Sequence, residues 1–114
     1  MSTPTQRLAE LGLTLPPVAK PLAAYTPAIT VGNQVWVSGQ LPLRDGKLIA
    51  TGRLGDAVEP AEGAEAAKVA ALNALAAVAD QAGGLDNVAR ILKAVVFVAS
   101  TTDFTAQPQV ANGA

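Results

Sequence analysis

Residues 59–84, EPAEGAEAAKVAALNALAAVADQAGG, constrain the fold more than any other stretch of the chain. Pro60 suits a first helical position, where its missing N–H costs nothing, and Glu62 and Glu65 fall in the early turns, where the positive end of the helix dipole favours acid. Val69, Leu72, Leu75, Ala76 and Ala79 recur at the spacing of one helix face, and Gly83-Gly84 supplies the stop. A stripe composed largely of alanine predicts a long helix that lies close against a sheet. Asn73, at the edge of the stripe, reads as a helix-to-loop hydrogen bond.

The sheet comes from the flanking segments. In AYTPAITVGNQVWVSGQLPL, two β-rich runs flank Gly32-Asn33, a two-residue hairpin signal. Asp45-Gly46 is a second such dipeptide, so the first half reads as an antiparallel meander, with TGRLG (51–55) as an edge element or loop. Gly39 interrupts the strand pattern of VWVSGQLPL, and a glycine there marks a bulge, a bend or the close approach of a ligand or another backbone. After the helix, NVARILKAVVFVAS predicts a central strand, apolar on both faces through its second half. STTDFTAQPQVANGA then offers Thr102 or Asp103 as the N-cap of a further helix in which the sequence stops.

Before the hairpin, residues 5–11 predict one or two helical turns ending at Gly12, and Pro16, Pro17 and Pro21 deny the following segment a ladder. The expected division is a lead over residues 1–23 and one domain over 24–114. The order ββ(β)αβ plus a helix start is an α+β pattern with a helix packed on one sheet face. One helix over three or four strands leaves an apolar strand edge without a partner, which invites association.

Composition narrows the chemistry. The 114 residues contain neither cysteine nor histidine, which removes thiol nucleophiles, disulfides, imidazole bases and the usual metal ligand sets. No cofactor or metal is expected. With 9 acidic and 8 basic residues the net charge is −1, so neither nucleic acid nor an anionic membrane is an expected partner. The N-terminal sequence has no apolar run of signal or spanning length, which makes the cytoplasm the expected compartment. Half the residues are hydrophobic at 4% aromatic content, a balance that points to surface buried in an oligomer.

The run GNQVWVSGQLPLRDGKL, the Ala-rich helix, ILKAVVFVASTTDF and the segment around Tyr25 together resemble the RidA/YjgF/UK114 family of enamine/imine deaminases, over roughly residues 17–114. The resemblance implies a chorismate-mutase-like (YjgF-like) fold, a homotrimer with ligand clefts at subunit interfaces, and hydrolysis of 2-aminoacrylate-type imines to a 2-keto acid and ammonia. It implies that Ser38 and Gly39 line the cleft, with the Gly39 amide meeting the substrate carboxylate and Tyr25 beside them, and that Asn112 corresponds to an asparagine early in the second helix. The family's carboxylate-clamping arginine, in a P/H-A-R-S segment, and its water-orienting glutamate lie beyond that helix. Neither motif occurs here, so the resemblance implies a chain lacking the last helix and final strands, with no catalytic residue of its own. Loss of a buried arginine partner costs about 2–5 kcal/mol, or roughly 30- to 4,000-fold in affinity, so weak activity is expected.

Arg44, Arg53 and Arg90 read as solvated charges or surface pairs, and Trp36 as an anchor on the sheet or a trimer contact. Read without the resemblance, Ser38 is a strand hydroxyl bonding a neighbour and Tyr25 a packing residue. Two other readings stand beside the deaminase: a non-catalytic protein that binds small carboxylates or a partner, and a fragment that does not fold stably alone.

Overall fold

A computed structural model of the chain describes residues 2–18 and 24–114. Met1 and residues 19–23, with Pro21 of the proline-rich lead, lie outside the described residues. The chain divides into two compact units, Met1–Gln40 with Leu72–Leu92 and Leu41–Ala71 with Lys93–Ala114.

In the first unit, α1 (Pro4–Glu10) begins at Thr3. The Thr3 hydroxyl accepts from the Gln6 amide at 3.2 Å, and the Gln6 side chain accepts from the Thr3 amide at 2.9 Å, a reciprocal cap that satisfies two donors at the helix start. The strands β1 (Ala28–Val31) and β2 (Gln34–Val37) pair antiparallel, with Ala28 opposite Val37 and Val31 opposite Gln34. Gly32 carries φ +59 between them while Asn33 stays at negative φ, the pattern of a type II′ turn. The long helix α2 (Pro60–Ala82) contributes its second half to this unit, where Asn73, Ala76 and Ala77 are buried. Among the described residues no buried side-chain polar atom, those of Asn73 included, is left without a partner. Thr30 Oγ1 donates to Gln81 Oε1 at 2.8 Å, tying β1 to α2. The Thr5 amide donates to Asp86 Oδ1 at 2.8 Å, which fastens α1 to the 3-10 turn Leu85–Asn87.

The second unit is built on Leu54, Val58 and Val110, all buried, with Val98 and Phe104 packed against them. Burying an aliphatic side chain of this size is worth about 1.5–3 kcal/mol, so these few residues hold much of the unit together. The Leu54 amide donates to Ala99 O at 2.9 Å and its carbonyl accepts from the Thr101 amide at 3.0 Å, a parallel bridge to Ser100. Val110 comes from α3 (Gln107–Ala111). The strands β3 (Leu43–Arg44) and β4 (Lys47–Leu48) pair across Asp45-Gly46, whose φ values of +55 and +77 are those of a type I′ turn.

The structure corrects four sequence expectations. The meander is replaced by two separate two-stranded sheets: Pro42 has no N–H to give, and the Leu43 amide closes on Leu41 O at 2.8 Å instead of continuing a ladder. Gly39 follows the end of β2 rather than interrupting it, and a Cβ there would meet open space. The segment 88–100 forms no strand: its backbone bonds among the described residues are confined to its two ends, at Val88 and Ala99, and Ile91, Leu92, Val95, Val96 and Phe97 are exposed. A strand of this kind is made by distant partners, and β propensity alone supplies none. Finally, α3 is capped by Ala106 and not by Thr102 or Asp103. Pro108 sets the helix start, while the Gln107 side chain donates to Phe104 O at 2.7 Å and Ser100 Oγ at 3.1 Å.

Two substitutions probe the second unit. Leu54→Ala should cost about 2–5 kcal/mol. A Cβ on Gly113 would collide with the backbone carbonyl of Ala64, so Gly113→Ala should cost about 1–3 kcal/mol by overpacking. Urea denaturation of each variant against the parent chain measures both.

Candidate functional site

The end of the β1–β2 hairpin is where the structure gathers chemistry. Beyond the last ladder pair, the Ser38 amide donates to Pro27 O at 2.9 Å and the Ser38 hydroxyl donates to Thr26 O at 2.5 Å. The Gln40 side chain reaches back to donate to Ser38 O at 3.3 Å. Ser38 is thereby pinned against Thr26, the residue next to Tyr25. An Oγ donor committed to a backbone carbonyl still offers its lone pairs, so at this point Ser38 is available as an acceptor and as a support.

Gly39 follows directly and is exposed, and its backbone N–H has no acceptor among the described residues. Tyr25 is exposed as well. The structure therefore brings Ser38, Gly39 and the Tyr25–Thr26 dipeptide together at one end of a two-stranded sheet. Asn112 is the C-cap of α3, with its amide donating to Pro108 O at 3.0 Å, and belongs to the other unit.

Thr26 is the residue that the sequence did not single out. It acts through its carbonyl, a group every residue carries, so no side-chain pattern could have marked it. Thr26 also contributes to a cavity of about 240 Å³ with Pro27, Ala28, Ala77, Asp80 and Gln81. Neither Ser38, Gly39 nor Tyr25 lines that space. Among the described residues its charged wall residue is the carboxylate of Asp80, which disfavours an anionic substrate.

The arginines sort by partner. Arg44 pairs with Glu65 at 3.0 Å and Arg53 with Asp56 at 3.9 Å, both exposed, and such pairs contribute about 0–1 kcal/mol. Arg90 makes no ion pair among the described residues. Among the same residues no group of acidic side chains is arranged to hold a metal ion, and no helix is long and apolar enough to cross a membrane.

The hairpins, the long helix on β1 and the short α3 define an α+β chain of the chorismate-mutase-like class. Over residues 5–114 the chain matches the family described as "YjgF/chorismate_mutase-like, putative endoribonuclease", and it belongs to that family. It is 42% identical over 107 residues to Protein TCP17 of Trypanosoma cruzi, a match covering 94% of this chain and 67% of that protein. A crystal structure from Shewanella oneidensis, described as that of a "putative endoribonuclease", superposes with a TM-score of 0.85 at 34% identity, covering 98% of this chain and 74% of the other. The protein Atu1372 from Agrobacterium tumefaciens, described as of unknown function, gives a TM-score of 0.76 at 41% identity, covering 95% of this chain and 65% of that one. The chain thus spans about two thirds to three quarters of the length of these relatives.

Replacing Ser38 by alanine leaves the exposed Thr26 carbonyl to water and should cost about 0.5–1.5 kcal/mol, the net value of one hydrogen bond. Ser38→Thr should retain most of it. Thermal unfolding followed by circular dichroism distinguishes the two variants.

Proposed function

We propose that this chain hydrolyses reactive enamines and imines of the 2-aminoacrylate type, releasing a 2-keto acid and ammonia. The observation that carries the reading is the unengaged Gly39 amide, held in place beside Tyr25 by the two bonds from Ser38 to Thr26 and Pro27. The 2-keto acid is related to its imine by one hydrolytic step. Water adds to the imine carbon, a proton moves to nitrogen, the C–N bond breaks, and ammonia leaves as the carbonyl forms. The carboxylate on that carbon needs a donor to fix it. A backbone N–H without a neighbouring Cβ lets a small anion approach, and a charge-assisted hydrogen bond to it is roughly twice as strong as a neutral one.

The 114 residues supply the wall of such a site and not an acid–base pair, a contribution that typically brings about 10²–10⁴-fold in rate. No P/H-A-R-S arginine occurs among them, and slow turnover is the consequence. A non-catalytic role, holding small carboxylates, is the alternative. The family description names an endoribonuclease, and RNA is the appropriate control substrate; with no histidine and a net charge of −1, we favour the imine.

A trimer belongs to the same proposal. Ile29 and Trp36 face each other across the hairpin and Val31 follows on the same face, all three more than half exposed at 51%, 61% and 55%. An apolar sheet face of that kind marks an association surface. Sedimentation equilibrium should give three times the chain mass, and Trp36→Lys should shift it toward monomer.

Activity is tested by pyruvate and ammonia release from 2-aminoacrylate generated in situ. The comparison is between this chain, buffer, and the full-length Shewanella relative, of which the match covers 74%. Both proteins should exceed buffer, the full-length relative by more, and neither should cleave RNA. Gly39→Val, whose Cβ meets open space in the folded chain, should leave stability within about 0.5 kcal/mol while lowering activity. If neither protein exceeds buffer and a 2-keto acid still binds, the carboxylate-binding alternative replaces the deaminase.

A further inference from the structure

The first unit carries a second cavity, of about 260 Å³, between α1, α2 and the 3-10 turn, away from Ser38 and Gly39. Leu8, Leu75, Leu85 and Val88 supply an apolar wall, and Arg7 and Arg90 add two guanidinium groups. No carboxylate lines it. Of the acids on the flanking elements, Glu10 is paired with Arg7 at 3.0 Å and also accepts from Ser2 at 2.9 Å, while Asp86 accepts from the Thr5 amide at 2.8 Å, does not line the cavity and makes no ion pair with Arg90. That leaves Arg90, which has no ion-pair partner among the described residues, as an uncompensated cation at the edge of an apolar space.

We propose that this cavity binds a short-chain apolar monocarboxylate, tail against the leucines and carboxylate on the Arg90 guanidinium. The chemistry of the wall excludes the alternatives in turn. A phosphate or a dicarboxylate leaves the leucines wet, a neutral hydrocarbon leaves Arg90 unpaired, and a cation is repelled by the Arg90 guanidinium. An arginine fork matches a carboxylate with two parallel N–H donors, a geometry that an alcohol cannot complete. Size sets the length. At about 30 Å³ for each water-sized group, the cavity accommodates roughly eight or nine non-hydrogen atoms, which is the size of hexanoate. Binding there would also hold α1 to the 3-10 turn, adding to the one hydrogen bond from Thr5 to Asp86.

The test is a titration of the intact chain with hexanoate, hexanol and acetate, followed through its amide and methyl NMR signals. Hexanoate should saturate shifts at Leu8, Leu75, Leu85 and Val88; hexanol should bind about tenfold more weakly, for want of the charge-assisted pair, and acetate should not saturate. Arg90→Gln should weaken hexanoate by about tenfold and leave hexanol unchanged, with Arg90→Lys between the two. Because Arg90 is exposed, its replacement leaves the fold intact, which the unperturbed spectrum of the variant verifies. Arg53→Gln, in the other unit, should change nothing. Equal affinity for hexanol and hexanoate, an undiminished Arg90→Gln variant, shifts centred on Tyr25 and Ser38, or no saturable binding would each overturn the proposal.

Discussion

The small side chains of α2 are the constraint on which the rest of the first unit depends. Ala76 and Ala77 are exposed by only 5% and 2%, and Ala28 of β1 by 4%. Residues without bulk allow close approach, and close approach places Thr30 where its hydroxyl reaches Gln81. That bond orients β1, β1 fixes the register of β2, and the register delivers Ser38 to Thr26. The alanine stripe is therefore a positioning device for the hairpin end as well as a core.

Local signals in the sequence were decisive where the physics is local. The limits of α2, both hairpin turns and the helical turns of the N-terminal lead follow from Pro60, from Gly83, from Gly32-Asn33, from Asp45-Gly46 and from Gly12, each acting within its own few residues. The cap by Thr3 and Gln6 obeys the same rule and was readable from T-x-x-Q. Elements that depend on distant partners were less legible. Residues 88–100 have the composition of a buried strand but, among the described residues, no ladder partner beyond the Leu54 bridge at Ser100, and composition cannot report whether a partner exists. Gly39 had a clear signature as a strand glycine, yet β2 ends two residues before it, because Pro27, opposite Ser38, accepts one bond but has no N–H to continue the ladder. Of the candidate site, Ser38, Gly39 and Tyr25 were legible as residue types in a pattern. Their mutual support through the Thr26 carbonyl was not, since backbone acceptors leave no trace in a sequence.

The two cavities of the first unit show how charge sorts surfaces of similar size. Both lie against α2 and are clefts of comparable volume, about 240 and 260 Å³. One holds Asp80 and Gln81, the other Arg7 and Arg90. For an anionic ligand the difference in sign outweighs the similarity in shape, since charges at this range interact by about 1–4 kcal/mol even at the high effective dielectric of a protein surface. The arginines of the second unit, Arg44 and Arg53, offer no such discrimination because each already faces a carboxylate. An unpaired guanidinium is the scarcer feature, and in this chain it sits beside leucines.

The exposed run from Ile91 to Phe97 bears on association more than on the site. Phe97 is 93% exposed and Leu92 67%, and among the described residues the backbone around them has no ladder to occupy its N–H and C=O groups. Each of those groups is hydrated at little cost, whereas the side chains on both faces are not; the two needs are met together only by an added strand, which takes the hydrogen bonds and covers the apolar atoms at once. The hairpin face of Ile29, Val31 and Trp36 differs, because its hydrogen bonds are already made and it lacks only cover. One surface thus calls for backbone pairing and the other for packing, so association through the hairpin should tolerate sliding and rotation that pairing along residues 91–97 would not, where a one-residue slip exchanges every side chain between faces.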